Sequence, residues 1–157
     1  ALTHQLVRHR MASYAQRSQR YCVEDGFEFV TPSSVSAKPE AAALYQSAID
    51  NIQKSYNDLL ALGVPAEDAR MLLPNACCTQ ICVKMNLRAL IHFCNERLCA
   101  CAQWEIREVA WKMLELAYNA APSLFGSAGP ACLSGKCPEG KMTCGRASEI
   151  KELFADM

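Results

Sequence analysis

The chain has 157 residues, a usual length for one domain, and we expect residues 1–157 to form a single domain. Apolar residues make up 51% of the chain and charged residues 20%, so it can bury a core and does not have a disordered composition. Sixteen basic residues balance sixteen acidic ones, which argues against a general nucleic-acid coat or a polybasic membrane anchor. No apolar stretch approaches the ~20 residues of a membrane span. We therefore expect a cytoplasmic protein that has neither nucleic acid nor a membrane as its partner.

Apolar periodicity predicts a helix-rich α+β fold with a small mixed or antiparallel sheet. The clearest signal covers residues 40–62, where apolar side chains recur at steps of three and four before Gly63 ends the helix. Asn86 is placed to cap the helix that follows it. In chain order, the predicted elements are a helix that closes by Arg10, a polar loop over 11–21, a strand or hairpin over 21–30, a turn region over 31–39, helices over 40–62 and 65–72, a short buried strand over 77–85, and helices over 86–98 and 103–120.

Ten cysteines suggest either a disulfide framework or a metal site. Six of them lie among apolar side chains between residues 77 and 101, where reduced thiols act as small apolar groups, so we favour reduced cytosolic thiols. Cys132, Cys137 and Cys144 lie instead in a Cys-, Gly- and Pro-rich tail over residues 126–147. They offer three zinc ligands with no obvious fourth and without a standard paired spacing. We therefore expect a packed or loosely ordered tail and no metal site.

Basic residues are concentrated near the start of the chain. Residues 1–23 contain no Asp or Glu, yet they contain Arg8, Arg10, Arg17 and Arg20. A guanidinium is a planar fork that grips phosphate or a carbonyl edge with paired hydrogen bonds. An anionic ligand would offset the repulsion between these charges, which acts within about 8 Å. The alternative is a solvated basic loop, with or without contact to RNA, although few aromatic residues are interleaved there.

A second polar set lies on the predicted helix over residues 86–98. Arg88 and His92 are four residues apart and share a face, whereas Arg97 is nine residues past Arg88 and points to nearly the opposite side. Polar groups on two faces indicate contact with two ligands, or with one ligand and one subunit. The alternative is that Arg88 and Arg97 form surface ion pairs with nearby glutamates. Arg70, which follows two acidic residues, has the same simple explanation.

Several motifs occur in the order in which a known family has them. Arg8-His9-Arg10, seven further residues and Ser18 form the pattern R-H-R-x7-S. This pattern resembles the signature of the flavin-dependent thymidylate synthases. The other matches cover almost the whole chain: Gln5, Ser18-Gln19-Arg20-Tyr21, Glu67-Asp68-Ala69-Arg70 with Pro74, Met85-Asn86-Leu87-Arg88, Phe93, Arg97, Ala102-Gln103-Trp104-Glu105-Ile106-Arg107, and Cys137-Pro138-Glu139-Gly140-Lys141, which is similar to the tail of a bacterial subgroup.

The resemblance implies an enzyme that methylates dUMP to dTMP. Methylenetetrahydrofolate would supply the one-carbon unit, NADPH the reducing power and FAD the hydride, without an essential cysteine nucleophile. The family implies a homotetramer whose sites are shared between subunits. Its members usually have about seventy further residues before the R-H-R triplet. The resemblance thus implies the C-terminal portion of such an enzyme, lacking the usual N-terminal segment.

The resemblance also assigns roles to individual residues. Ser18 and Arg20 would hold the phosphate of dUMP, Arg70 would contact the base, and Arg97 would act as the catalytic residue by stabilising charge on the uracil ring. The residues at dUMP-contacting places are Gln5, Arg8, Gln16, Ser18, Arg20, Arg70 and Arg97. The residues at flavin-contacting places are Arg8, His9, Arg10, Asn86, Arg88 and His92.

Two positions depart from the family pattern. Gln16 stands where many relatives have Glu, and Cys101 stands where some relatives place a His near the flavin. Two other functions stay open on the sequence: a catalytically incomplete fragment that keeps nucleotide, flavin or RNA binding, and a related enzyme that alkylates another uridine nucleotide at carbon 5.

Overall fold

The computed structural model describes residues 1–155. In this part of the chain it is rich in helix and has one small antiparallel sheet, which confirms the predicted α+β class. None of its helices is long and apolar enough to cross a membrane. The two paired strands are β1 (Ala12–Gln16) and β2 (Ile81–Met85). The helices are α1 (Leu2–Leu6), α2 (Ser33–Ser36), α3 (Pro39–Ala61), α4 (Ala66–Ala69), α5 (Leu87–Arg97), α6 (Trp104–Ala120), α7 (Pro122–Phe125) and α8 (Ala147–Ala155), with 3-10 turns at Arg70–Leu72, Ala131–Leu133 and Gly140–Met142.

The described chain divides into two compact units. Unit 1 contains residues 1 and 14–82, and unit 2 contains residues 2–13 and 83–155. Both strands of the sheet have residues in each unit. Unit 1 contains α2, α3 and α4, whereas unit 2 contains α1 and all the helices from α5 onward.

Helix α3 of unit 1 confirms the strongest prediction from the sequence. It begins at Pro39, whose fixed φ suits the first helical position and whose missing N–H would have no helical partner there. It ends before Gly63, which has a φ of 83° that other residues rarely adopt. The next predicted helix, over residues 65–72, is also confirmed, although its last turn is a 3-10 turn.

The predicted polar loop over residues 11–21 is wrong, because strand β1 lies within it. Nothing in this polar segment shows strand periodicity, but β2 supplies backbone partners that are remote in sequence. The pairing continues past β1, where the N–H of Arg17 donates to the carbonyl of Gln80 at 2.8 Å. The predicted strand over residues 77–85 is confirmed only for its second half, and its side chains are half-buried or exposed instead of buried.

The predicted strand or hairpin over residues 21–30 is wrong as well. The backbone N–H of Glu24 donates to the buried hydroxyl of Tyr56 at 3.0 Å, and Gln53 accepts a second backbone N–H from the same segment at 3.1 Å. Both acceptors belong to α3, so the helix takes backbone donors that a hairpin would need. The segment forms one antiparallel bridge, at Phe29.

Helices α5 and α6 form the interior of unit 2, and each begins with a side-chain cap. Asn86 Oδ1 accepts the backbone N–H of Ala89 at 2.9 Å, as predicted. Gln103 Oε1 accepts the backbone N–H of Ile106 at 3.2 Å. The interior side chains with no exposed surface are Phe93, Cys94, Ile106, Ala110 and Leu114.

Helix α8 is not predicted by the sequence, which suggests only a tail over residues 126–147. The ring of Phe154 in this helix stacks on Trp111 of α6 at a centroid distance of 4.7 Å. The backbone of Gly129 lies close to the side chains of Leu133 and Phe154. A Cβ at this position would lie 2.4 Å from Leu133 Cδ1 and 2.9 Å from the Phe154 ring. The tail was expected to be either packed or loosely ordered, and at Gly129 it is packed.

Candidate active site

His9 is the most closely packed of the predicted site residues. It follows α1, is 8% exposed, and lies edge-to-face against His92 and Phe93 of α5 with ring centroids 5.7 and 5.0 Å away. Arg97, the last residue of α5, donates a hydrogen bond from Nε to His9 Nε2 at 2.9 Å. The fold thus brings His9, His92 and Arg97 together, although His9 and Arg97 are 88 positions apart in the chain.

The surroundings of His9 favour its neutral form. Burial lowers the pKa of the imidazole below its ordinary value of 6.5, and the charges of Arg97 and His92 lower it further, against a smaller opposing effect of Glu96. A neutral imidazole keeps a lone pair on Nε2, which is the atom that accepts the bond from Arg97. This bond orients one edge of the Arg97 guanidinium, whose two terminal nitrogens carry four further N–H donors.

Three other predicted arginines of unit 2 have exposed side chains. Arg8 and Arg10 flank His9, and Arg88 lies in the first turn of α5. None of the three forms an ion pair with a carboxylate of residues 1–155. The alternative of a surface ion pair is therefore wrong for Arg88, and it is wrong for Arg97, which binds His9. Guanidiniums without a protein counter-ion suit an anionic ligand.

Two amide side chains of unit 2 stand out for their hydrogen bonding. Gln5 Oε1 is buried and has no hydrogen-bond partner within the described part of the chain. Buried polar atoms in proteins are almost always hydrogen-bonded, so this oxygen indicates a position that a ligand N–H would complete. Asn86 already uses Oδ1 to cap α5, which leaves its amide donors for any ligand contact.

In unit 1, Glu67 connects two predicted site residues. Its carboxylate accepts the Nε–H of Arg20 at 2.5 Å, and its backbone carbonyl accepts the Nε–H of Arg70 at 3.0 Å. Ser18 Oγ accepts the backbone N–H of Arg20 at 3.3 Å, and the Arg20 guanidinium lies 5.2 Å from the centroid of the Tyr21 ring. The simple explanation of Arg70 as a carboxylate ion pair is thus wrong: the carboxylate of Glu67 binds Arg20 instead.

Acidic residues from elsewhere in unit 1 neutralise part of the basic segment. Glu24, which is buried, pairs with Arg17 at 3.4 Å, and Glu67 pairs with Arg20. Sequence reasoning missed both partners because each lies outside the acid-free segment. For Glu67 a signal existed, since it belongs to the same short motif as Arg70.

The predicted site residues fall into two groups, one in each unit. Unit 1 holds Gln16, Ser18, Arg20 and Arg70, with Gln16 exposed at the end of β1. Unit 2 holds Gln5, Arg8, His9, Arg10, Asn86, Arg88, His92 and Arg97.

The thiols of the chain differ in their capacity for nucleophilic chemistry, which requires the thiolate. Cys94 has no exposed surface, and burial raises its pKa to about 11. Burial also raises the pKa of Cys77, and the charge of Glu24 adds to that effect. Cys82 and Cys101 are exposed. In residues 1–155, no three His, Cys, Asp or Glu side chains stand together as a metal-ligand set.

Comparison with known proteins identifies the family. The family model described as thymidylate synthase complementing protein matches residues 1–123. A flavin-dependent thymidylate synthase of Geobacter sulfurreducens is 54% identical over 159 residues, which is 100% of this chain and 68% of that protein. Enzymes of the same name from Clostridium tetani and Nitratidesulfovibrio vulgaris are 41% and 47% identical, with 98% and 93% of this chain and 68% and 64% of each relative covered.

The chain thus spans about two thirds of the length of these relatives. The likeness runs through both groups of site residues, since the matched region of the family model contains every one of them. The family suggested by the R-H-R-x7-S pattern and the ordered motifs is thereby confirmed. The chain belongs to the flavin-dependent thymidylate synthases.

Proposed function

We propose that this chain supplies active-site residues for the methylation of dUMP to dTMP, with methylenetetrahydrofolate as carbon donor, NADPH as reductant and FAD as the flavin. Family membership supports the proposal. The single observation that carries it is the hydrogen bond between Arg97 and the buried His9, whose pKa is lowered. This bond holds a cation in a fixed orientation, which is what a site needs in order to stabilise a charge that develops during a reaction.

Arg97 is the proposed catalytic residue. One edge of its guanidinium is bound to His9 at 2.9 Å, and the terminal N–H groups donate to an oxygen of the uracil ring. They stabilise the negative charge that develops on the ring. Because His9 fixes the guanidinium before the substrate arrives, little reorganisation is needed during the reaction.

Residues of unit 1 bind the nucleotide through its phosphate. Ser18 and Arg20 contact the phosphate, and Glu67 holds Arg20 by its Nε–H. The terminal nitrogens of Arg20 then form the fork that donates hydrogen bonds to two phosphate oxygens. Arg70 donates from Nε to the backbone carbonyl of Glu67, which fixes its side chain, and it contacts the base.

The uracil ring offers a hydrogen-bond donor for Gln5 Oε1, an acceptor of unit 2 that has no partner among the described residues. Gln5 Oε1 is buried and unpartnered within residues 1–155, and uracil carries one ring N–H. We place this pair together because it satisfies both groups. Gln16 is an exposed amide where many relatives have a carboxylate, and it contacts the nucleotide as a neutral group. Arg8 contacts both the nucleotide and the flavin.

The flavin, when bound, supplies the hydride. The proposed contacts of this chain with it are Arg8, His9, Arg10, Asn86, Arg88 and His92. The exposed guanidiniums of Arg10 and Arg88 have no ion-pair partner within the described residues, and they suit the diphosphate of FAD. The amide donors of Asn86 and the imidazole of His92 suit the polar edge of an isoalloxazine ring.

No cysteine serves as the nucleophile in this proposal. Burial raises the pKa values of Cys94, Cys77 and Cys101, which disfavours their thiolates. Cys82 and Cys101 are exposed and are therefore the thiols to test. Serine at either position should leave turnover measurable in a dTMP-formation assay. Complete loss of turnover in a folded Cys101→Ser variant would show that a thiol takes part.

The decisive experiment measures dTMP formation by the FAD-loaded chain. Arg97→Ala should lower kcat by roughly 10²–10³ while flavin absorbance in the purified protein stays the same. Arg146→Ala is the matched control, because Arg146 is an exposed arginine of the same unit that pairs only with its neighbour Glu149 among described acids. Full activity of the Arg97→Ala variant would refute the proposed role.

The same assay separates the two other functions. Turnover of UMP in place of dUMP would indicate a related uridine-alkylating enzyme. Binding of dUMP and flavin with no turnover in the wild-type chain would indicate a fragment that only binds.

We also propose a cytoplasmic homotetramer with shared sites. Its support is the distribution of polar residues on α5, where Arg88 and Arg97 point to nearly opposite sides. Light scattering after size-exclusion chromatography gives the oligomeric state. Mixing inactive Arg20→Ala and Arg97→Ala chains should restore part of the activity if subunits share sites, whereas a self-contained chain would show no recovery.

A further inference from the structure

The motif over residues 102–107 has no role in the chemistry proposed above. These residues lie where the chain passes from α5 to α6 in unit 2. The connection between the two helices covers residues 98–103 and follows directly on Arg97, the last residue of α5. Whatever fixes this connection therefore also affects where the Arg97 side chain lies.

Arg107 reaches back from α6 to this connection. It lies in the first turn of α6, is half-buried, and donates from Nη1 to the backbone carbonyl of Ala100 at 3.1 Å. Ala100 is three residues past Arg97. Arg107 forms no ion pair with a carboxylate of residues 1–155, so this carbonyl is bonded by a guanidinium that no carboxylate draws away. Hydrogen bonds from a charged donor are stronger than those between neutral groups.

The rest of the motif fixes Arg107 itself. The side chain of Gln103 caps α6 by accepting the N–H of Ile106 at 3.2 Å, and its backbone carbonyl accepts the N–H of Arg107 at 3.1 Å. The side chain of Ile106 has no exposed surface. The first turn of α6 is thus packed into the interior of unit 2, and Arg107 extends from a fixed part of the fold.

The end of α5 needs such a support because Arg97 must meet a buried ring. Its Nε donates to His9 Nε2 at 2.9 Å, and the next residue, Leu98, is 6% exposed. A hydrogen bond weakens steeply when its length or angle departs from the preferred range. A shift of about 1 Å at a catalytic group is also enough to lower a rate substantially.

We propose that Arg107 is a positioning residue, which holds the end of α5 through the carbonyl of Ala100 so that Arg97 stays bound to His9. The effect of Arg107 on turnover rests on the proposed function of Arg97. Its effect on the bond between Arg97 and His9 does not depend on that function. Arg107 acts through the backbone and is not itself a catalytic residue.

Steady-state kinetics of the FAD-loaded chain test the effect on turnover. Arg107→Met keeps most of the unbranched side chain but removes the donor, and it should lower kcat for dTMP formation by roughly 10–10²-fold, more than it raises the KM for dUMP. Arg107→Lys supplies one donor again, which is all that the carbonyl of Ala100 takes, and should recover most of the activity. Lys112→Ala, at an exposed position of α6, should match the wild type. Wild-type kcat in Arg107→Met would overturn the proposal.

A double variant distinguishes positioning from a general structural role. In the Arg97→Ala background, Arg107→Met should cause no further loss of kcat, because a residue that acts through Arg97 has nothing left to position. Losses that multiply in the double variant would show that Arg107 acts independently of Arg97 and would overturn the proposal.

The titration of His9, followed by NMR, needs no turnover. Burial lowers the pKa of His9, the charges of Arg97 and His92 lower it further, and Glu96 opposes them. If Arg107→Met lets the Arg97 guanidinium move away, the pKa of His9 should rise, and in the Arg97→Ala background the same substitution should leave it unchanged. An unchanged pKa in Arg107→Met, or an equal rise in both backgrounds, would overturn the proposal.

The Arg97→Ala variant separates failure of this proposal from failure of the proposed function. If Arg97→Ala is fully active, the proposed function fails, and the titration of His9 decides whether Arg107 positions Arg97. If Arg97→Ala is inactive but Arg107→Met keeps wild-type kcat, only the positioning role fails. Arg107→Gln, whose side chain is too short to reach the carbonyl of Ala100, is measured in the same way if Arg107→Met does not fold.

Discussion

The two units hold their site residues in different ways. In unit 2, the buried His9 is packed against two rings and bound to Arg97. In unit 1, Arg20 and Glu67 form an ion pair whose side chains are 53% and 43% exposed. Water and salt compete with an exposed pair far more than with a buried contact. Unit 2 therefore keeps one geometry, whereas the pair in unit 1 can rearrange when an anion binds.

Both units bury some side chains completely and leave some large apolar side chains exposed. In unit 2, side chains of α5 and α6 have no exposed surface, but Leu116 on α6 is 71% exposed. In unit 1, Tyr56 on α3 has no exposed surface, but Leu44 on the same helix is 74% exposed. The cost of losing an apolar side chain should therefore follow the burial of that side chain, whichever unit holds it.

The largest expected effect comes from Phe93→Ala, which removes a fully buried ring of unit 2. It should lower the free energy of unfolding by about 3–5 kcal/mol, as measured by urea denaturation. Phe29→Ala in unit 1, where the half-buried ring lies 6.2 Å from Tyr45, should have a clearly smaller effect. Equal losses would contradict the dependence on burial.

A smaller effect is expected from Asn86→Ala, which removes the N-cap of α5. The variant should lose about 1 kcal/mol of stability, seen as a lower Tm. Asn86→Asp keeps an acceptor oxygen and should retain most of the stability. If both variants melt alike, the cap contributes nothing to holding α5.

Glu67→Gln should change stability by less than about 1 kcal/mol, because it alters an exposed ion pair. The KM for dUMP should nevertheless rise, since Arg20 loses its fixed orientation. Glu149→Gln is the control, because it alters the exposed pair with Arg146 in unit 2 and should leave KM unchanged. A KM equal to that of the wild type in Glu67→Gln would show that the pair does not position Arg20.

The smallest effect is a pH dependence that His9 confers on unit 2. Its pKa in the folded state lies below the ordinary 6.5 because of burial and the charge of Arg97. The neutral form is thus favoured by folding, and its contribution is complete above pH 6.5 and is lost as the pH falls. His9→Gln keeps an acceptor that does not titrate, so the Tm of the wild type should decline more steeply than that of the variant from pH 7 to pH 5. Parallel curves would contradict the lowered pKa.

Local patterns in the sequence were enough for the helices with strong periodicity and for one cap. The apolar repeat of α3 and the position of Asn86 depend on residues within about four positions. The polar strand β1 has no such pattern, because its partner β2 lies far along the chain. Helix α8 was missed for a related reason, since it packs through the stack of Phe154 on Trp111.

The motifs alone were enough to establish the chemical groups of the site and the family that uses them, because they fix residue type and order. The folded chain brings remote groups together: Arg97 with His9 across 88 positions, and Arg20 with Glu67 across 47. A hydrogen bond acts over about 3 Å and an ion pair over little more. Contacts of such short range between remote residues depend on how the chain folds back on itself, which no local pattern encodes.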